Sequence, residues 1–151
     1  MTVPSRLFRP LVRRLPALVL AVATLVTAAV AAAAEPLRRY DVDLTQTSVS
    51  GISSGGYMAV QFGVAYSSIV RGVGAVAGGP YGCANASVTT ALDVCMAGKR
   101  PIRVADLVRL TKQRAGSGAI DAVSNLAAQR VWIFAGNIDS TVVPKVGEAL
   151  E

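Results

Sequence analysis

The chain has 151 residues, 52% of them hydrophobic, with 15 basic and nine acidic side chains and no histidine. That length suits one domain with a sizeable core. Two cysteines without histidine argue against a metal site, and scattered basic residues with few aromatics among them argue against a nucleic-acid surface.

Residues 1–34 open with Arg6, Arg9, Arg13 and Arg14, continue through an apolar stretch from Leu15 to Val30, and close on alanines. A basic segment, an apolar core and a small-residue site at Ala32-Ala33-Ala34 are the order of a secretory signal peptide. The alternative is a membrane anchor, although alanine is a weak membrane residue. Arg13-Arg14 also leaves a twin-arginine route open. Removing this segment leaves 11 basic and nine acidic residues, a net charge of +2. The expectation is a secreted or periplasmic protein, free of the membrane after cleavage, with one domain over residues 35–151.

In that region "LTQTSVS" (44–50) reads as a strand and "GGYMAVQFGVAYSS" (55–68) as a helix carrying Met58, Val60, Phe62 and Tyr66 among its apolar residues. "VRGVGAVAGG" (70–79) is a Gly-rich apolar strand, followed by a loop with both cysteines. Helices are expected near Val104 to Arg114 and Ile120 to Gln129, the basic cluster Lys99 to Arg114 forming a solvated face. "RVWIFAG" (130–136) has the continuous hydrophobicity of a buried parallel strand, and Pro144 to Leu150 begins a last helix. Strands alternating with helices predict an α/β fold with a mainly parallel sheet and flanking helices.

Cys83 and Cys95 lie 12 positions apart. In an exported chain a disulfide is the default reading, worth roughly 3 kcal/mol for a loop of that size; pairing with a cysteine outside this sequence is the alternative.

Gly51-Ile52-Ser53-Ser54-Gly55 is G-x-S-x-G between a strand and a helix, the setting of a nucleophile elbow. The turn is sharp enough that positions two before and two after the serine must be small. Gly51 and Gly55 meet that demand for Ser53, whereas centring on Ser54 would put Ile52 in the crowded place. Ser54 would then offer its backbone N–H to an oxyanion hole at the positive end of the helix. A Gly/Ser turn without chemistry is the competing reading. Asp139 follows the third strand, 86 residues after Ser53, where an α/β-hydrolase carries its acid; a turn residue or helix cap is the alternative. Only 18 positions separate Glu35 from Ser53, room for one strand. Either the front half of the fold is lost or the sheet is circularly permuted, and the export signal favours permutation.

"TSVSGISSGGYMAVQF", "GVGAVAGGPYGCA" and "VWIFAGNIDSTVVP" resemble the secreted or periplasmic poly(3-hydroxybutyrate) depolymerases, whose catalytic domain is a circularly permuted α/β-hydrolase. The resemblance runs from about Asp41 to Pro144. It implies a serine esterase that needs no cofactor and cleaves a polyester or oligoester of 3-hydroxybutyrate, with Ser53 as nucleophile and Asp139 as acid. The family's histidine lies beyond the acid and has no counterpart here, so the chain reads as the N-terminal part of the catalytic domain, ending early, and inactive alone. Lys99, Lys112 and Lys145 are the only other bases available, none in a segment patterned for burial. The alternatives are a secreted esterase of the feruloyl or acetyl-xylan type, or a non-catalytic remnant.

Overall fold

A computed structural model describes residues 36–151; the expected signal peptide lies outside the described residues. Val42–Glu151 forms one compact unit. Its centre is a three-stranded sheet in the order β1-β2-β3, with β1 at Thr47–Ile52, β2 at Val70–Val76 and β3 at Arg130–Phe134. Both pairings are parallel. The expected α/β class with a parallel sheet is therefore present.

β1 starts three residues later than the sequence pattern suggests. Asp43 accepts from the backbone N–H of Thr45 at 2.9 Å and from its hydroxyl at 2.6 Å. Thr47 Oγ1 donates to the Leu44 carbonyl at 2.7 Å. These local side-chain bonds wind Leu44–Gln46 into a 3-10 turn, offering the backbone an alternative to the ladder.

Helix α1, Ser54–Ala65, packs on β1 and β2 through small residues: Gly56, Ala59, Val60 and Gly63 are its buried positions. A Cβ on Gly56 would stand 2.7 Å from the Val76 carbonyl oxygen, and one on Gly63 would strike Val73 Cγ2. Helix and strand therefore meet nearly backbone to backbone. The large apolar side chains that the pattern suggests for the helix point elsewhere. Met58, Phe62 and Tyr66 are exposed, with the last two rings 4.7 Å apart. Val70, Val73 and Ala75 of β2 complete the core with Ala59 and Val60.

Beyond β2 the cysteine-bearing segment is more regular than a loop. A helical turn at Val88–Thr90, capped by the Ser87 hydroxyl, runs into a π-helical stretch, Ala91–Met96. Cys83 and Cys95 form the expected disulfide, Cα to Cα 6.0 Å. Helix α2 spans Val104–Gly116. On it Asp106 bridges Arg103 and Arg109 at 2.8 and 2.9 Å, and Arg114 leaves the solvated face to reach the Tyr81 hydroxyl at 3.1 Å.

The helix expected at 120–129 is a 3-10 segment, Val123–Ala128, because both its flanks are tethered. Asp121 accepts from the N–H and hydroxyl of Ser68 at 2.8 and 2.6 Å. The Gln129 amide donates to the carbonyls of Gly63 and Val70 at 2.9 and 3.1 Å.

β3 is parallel as expected, but it is not buried. Trp132 is 60% exposed and Phe134 52%. Among the described residues β3 is an edge strand, with β2 on one side and an uncovered face bearing both rings. The last helix, α3, is Pro144–Glu148, with proline at its start and Val146 and Gly147 buried. No helix of the described residues is long and apolar enough to cross a membrane.

Candidate active site

Ser53 is the one residue between β1 and α1, and its backbone is strained: φ 55°, ψ −122°. A non-glycine residue held there costs about 1–3 kcal/mol and persists only where its surroundings over-determine it. Those surroundings are explicit. The Ser53 N–H donates to the Val76 carbonyl at 2.9 Å, and its own carbonyl accepts from the Tyr57 N–H at 3.0 Å. A Cβ on Gly51 would collide with the Gly55 carbonyl and lie 2.9 Å from Gly55 Cα. Glycine at 51 is thus required by the turn. The matching expectation for Gly55 is not met, since a Cβ there finds nothing within 4 Å; the crowding is between residue 51's side and residue 55's backbone.

The strain falls on Ser53 and not on Ser54, which opens α1 in ordinary helical geometry. The Ser53 hydroxyl makes no capping bond to its own helix. The Ser54 N–H sits at the positive end of a helix of 12 residues.

Asp139 lies in the loop after β3. Its N–H donates to the Gly136 carbonyl at 3.0 Å, and its Oδ1 accepts from the N–H groups of Thr141 and Val142 at 2.8 and 3.0 Å. Oδ2 makes no hydrogen bond among the described residues. The carboxylate is therefore oriented by a turn while one oxygen remains for another donor. The bonds to Oδ1 are those of the turn reading.

Ser53 and Asp139 emerge from the same end of the sheet. Two backbone bonds beyond the strands, Ser53 N–H to Val76 O and Ala77 N–H to Phe134 O at 2.8 Å, keep the three strand exits in step. With β2 between them, β1 and β3 are about 10 Å apart, and the two side chains do not touch. That spacing leaves room for a third group to bridge hydroxyl and carboxylate. No side chain among the described residues does so. Lys99 pairs with Asp93 at 2.7 Å and is largely exposed, and Lys112 and Lys145 are exposed. A cavity of about 680 Å³ between the disulfide segment and α2, lined by Cys83, Arg100 and Arg103, includes neither Ser53 nor Asp139. No group of three or more metal-binding side chains occurs among the described residues.

Sequence reasoning passed over Tyr57, four residues after Ser53. Its phenol donates to the Cys95 carbonyl, and burial pushes its pKa up to about 12. The signal for it was present as the one aromatic on the first turn of the helix, next to Gly55 and Gly56.

A serine on a strained strand-to-helix turn, at the exit end of a parallel sheet and followed by an acid two strands on, defines an α/β-hydrolase type of fold and elbow. No family model matches the chain. It is 47% identical over 119 residues to the poly(3-hydroxybutyrate) depolymerase of Delftia acidovorans, covering 78% of this chain and 24% of that protein. It is 39% identical over 120 residues to the polyhydroxybutyrate depolymerase of Talaromyces funiculosus, covering 79% and 34%. Among solved structures, a PHB depolymerase variant complexed with an R3HB trimer superposes with a TM-score of 0.66 at 37% identity, over 74% of this chain and 34% of that one. The PHB depolymerase from Penicillium funiculosum gives 0.65 at 38% identity, over 73% and 33%. Over about three quarters of its own length the chain is similar to poly(3-hydroxybutyrate) depolymerases. It spans 24% and 34% of the length of the two curated relatives it matches.

Proposed function

We propose that this chain carries the nucleophile and acid of a secreted or periplasmic serine esterase that cleaves poly(3-hydroxybutyrate) or its oligomers. The observation that carries the reading is the left-handed backbone of Ser53 on the one-residue turn between β1 and α1, at the position where an esterase presents its hydroxyl. The polyester substrate is inferred from the named relatives, one of them complexed with a trimer of the hydroxy acid. Export is inferred from the first 34 residues together with the disulfide.

In this mechanism the Ser53 Oγ attacks the ester carbonyl as a base takes its proton, and the carbonyl electrons move to the oxygen, where the Ser54 N–H stabilises the charge. Collapse expels the alkoxide, which the protonated base neutralises, leaving an acyl-serine that water hydrolyses by the same route. Asp139 orients the base through Oδ2 and supports its positive charge. With no histidine among the 151 residues, the base comes from outside this sequence, and residues 35–151 by themselves are expected to turn over no nitrophenyl ester above buffer.

The test uses the natural polypeptide that carries these residues and soluble 3-hydroxybutyrate oligomers. Ser53→Ala abolishes hydrolysis, whereas Ser54→Ala, which keeps its N–H, retains much of it. Equal loss in both variants, or turnover by Ser53→Ala, contradicts the reading.

A further inference from the structure

The strained elbow and the Asp139 loop approach the same end of the sheet on separate elements, with no hydrogen bond between them among the described residues. Both nevertheless bond to consecutive carbonyls of one turn. The Cys95 carbonyl accepts the Tyr57 phenol, and the next, that of Met96, accepts the Val143 N–H at 3.0 Å. Cys95 and Met96 end the π-helical stretch, where carbonyls lack intrahelical partners and are free to serve others. The Cys83–Cys95 disulfide pins that turn to the segment following β2.

On the nucleophile's side the link is short and stiff. The Tyr57 N–H closes the elbow by donating to the Ser53 carbonyl, so the residue that grips the turn through its side chain also grips Ser53 through its backbone. The ring has little freedom. A Cβ on Gly79 would lie 2.7 Å from the phenol oxygen, 2.8 Å from Cε1 and 2.8 Å from Val146 Cγ1. The ring is thus held against the bare backbone of Gly79, which buried Val146 of α3 also approaches. On the acid's side, Val143 adjoins Val142, whose N–H holds Asp139 Oδ1.

We propose that Tyr57 is a positioning residue of the ester-cleaving site: with the Val143 N–H it fastens the Ser53 elbow and the Asp139 loop to one disulfide-closed turn, and so sets the separation of nucleophile and acid. The proposal rests on the functional reading above. Because burial keeps the phenol protonated far above neutral pH, the clamp is closed throughout the range in which an esterase works.

The experiment measures hydrolysis of soluble 3-hydroxybutyrate oligomers by the natural polypeptide, with competent serines counted by titration to completion with a phosphonate. Tyr57→Phe keeps the ring against Gly79 and removes only the donor. Its kcat per counted serine should fall about tenfold, with KM within about twofold, as expected when a reacting group is misplaced but binding is intact. Gly79→Ala, which displaces the ring, should lower kcat in the same way, and the double variant should fall no further than the weaker single variant. A purely structural role would lower the number of competent serines and leave kcat for each unchanged. That result, or a loss confined to KM, overturns the proposal while Ser53→Ala is dead. Turnover surviving in Ser53→Ala overturns the functional reading and the proposal with it.

Discussion

Around β1, α1 and β2 the chain packs backbone against backbone. Gly56 lies under the Val76 carbonyl, Gly63 lies against Val73, and the buried side chains are no larger than valine. β3 is built the other way, with large side chains, Trp132 and Phe134, standing uncovered on an edge strand. Both regions read as apolar strand in sequence, so hydrophobicity specified strand but not burial. What separates them is glycine at the sheet-facing positions of α1, Gly56 and Gly63, which lets the helix approach the sheet closely enough to fix a strained residue. Ser53 belongs to the tight region. Asp139 hangs from the loose one and takes its order from hydrogen bonds within its loop and from the Met96 carbonyl.

If tightness at the elbow is what matters, Gly51→Ala should be the most damaging change. Its Cβ meets backbone that cannot move aside, and the loss should exceed about 3 kcal/mol in denaturant unfolding. Gly55→Ala is the control; with open space around it, it should cost less than about 1 kcal/mol and can stabilise the helix. Equal damage in the two would break the distinction.

Replacing Cys83 and Cys95 together by alanine should cost about 3 kcal/mol, read as a lower unfolding midpoint with the protein otherwise folded. An unchanged midpoint would mean that the brace is not held by the disulfide.

Tyr57 sharpens the comparison through pH. Its pKa rises from 10.0 unfolded to about 12 folded, so the folded state favours the protonated phenol. The stability this supplies is complete below pH 10 and is lost as the pH climbs from about 10 to about 12. Tyr57→Phe should remove that alkaline decline from the unfolding curve, and persistence of the same decline in the variant would assign it elsewhere.

The smallest effect is expected on the loose side. Trp132→Thr, on an exposed face, should change stability by about 0.5 kcal/mol or less. A loss above about 2 kcal/mol would mean that this face of β3 is covered in solution.

Much of this organisation was legible in the sequence. β2 and α2 follow from their apolar spacing, and Ser53 was preferred over Ser54 from the glycine at 51, for the steric reason that the elbow exhibits. The cysteine pairing followed from spacing and the expectation of export. The rest depended on contacts that local pattern does not carry. The late start of β1 is set by one aspartate's bonds to Thr45, the shortened Val123–Ala128 segment by anchors at Ser68 and Gly63, and the exposure of β3 by what lies beside it. Tyr57 meets Cys95 across 38 residues, a pairing no periodicity encodes.

The central claim is that Ser53, held at a left-handed backbone by the tight region, is the nucleophile. Peptide mapping of the natural polypeptide after reaction with a serine-directed phosphonate tests it most directly. One adduct is expected in the peptide spanning the elbow, with fragmentation placing it on Ser53 and leaving Ser54 unmodified. An adduct on Ser54, or ester hydrolysis that proceeds with neither serine labelled, would contradict it.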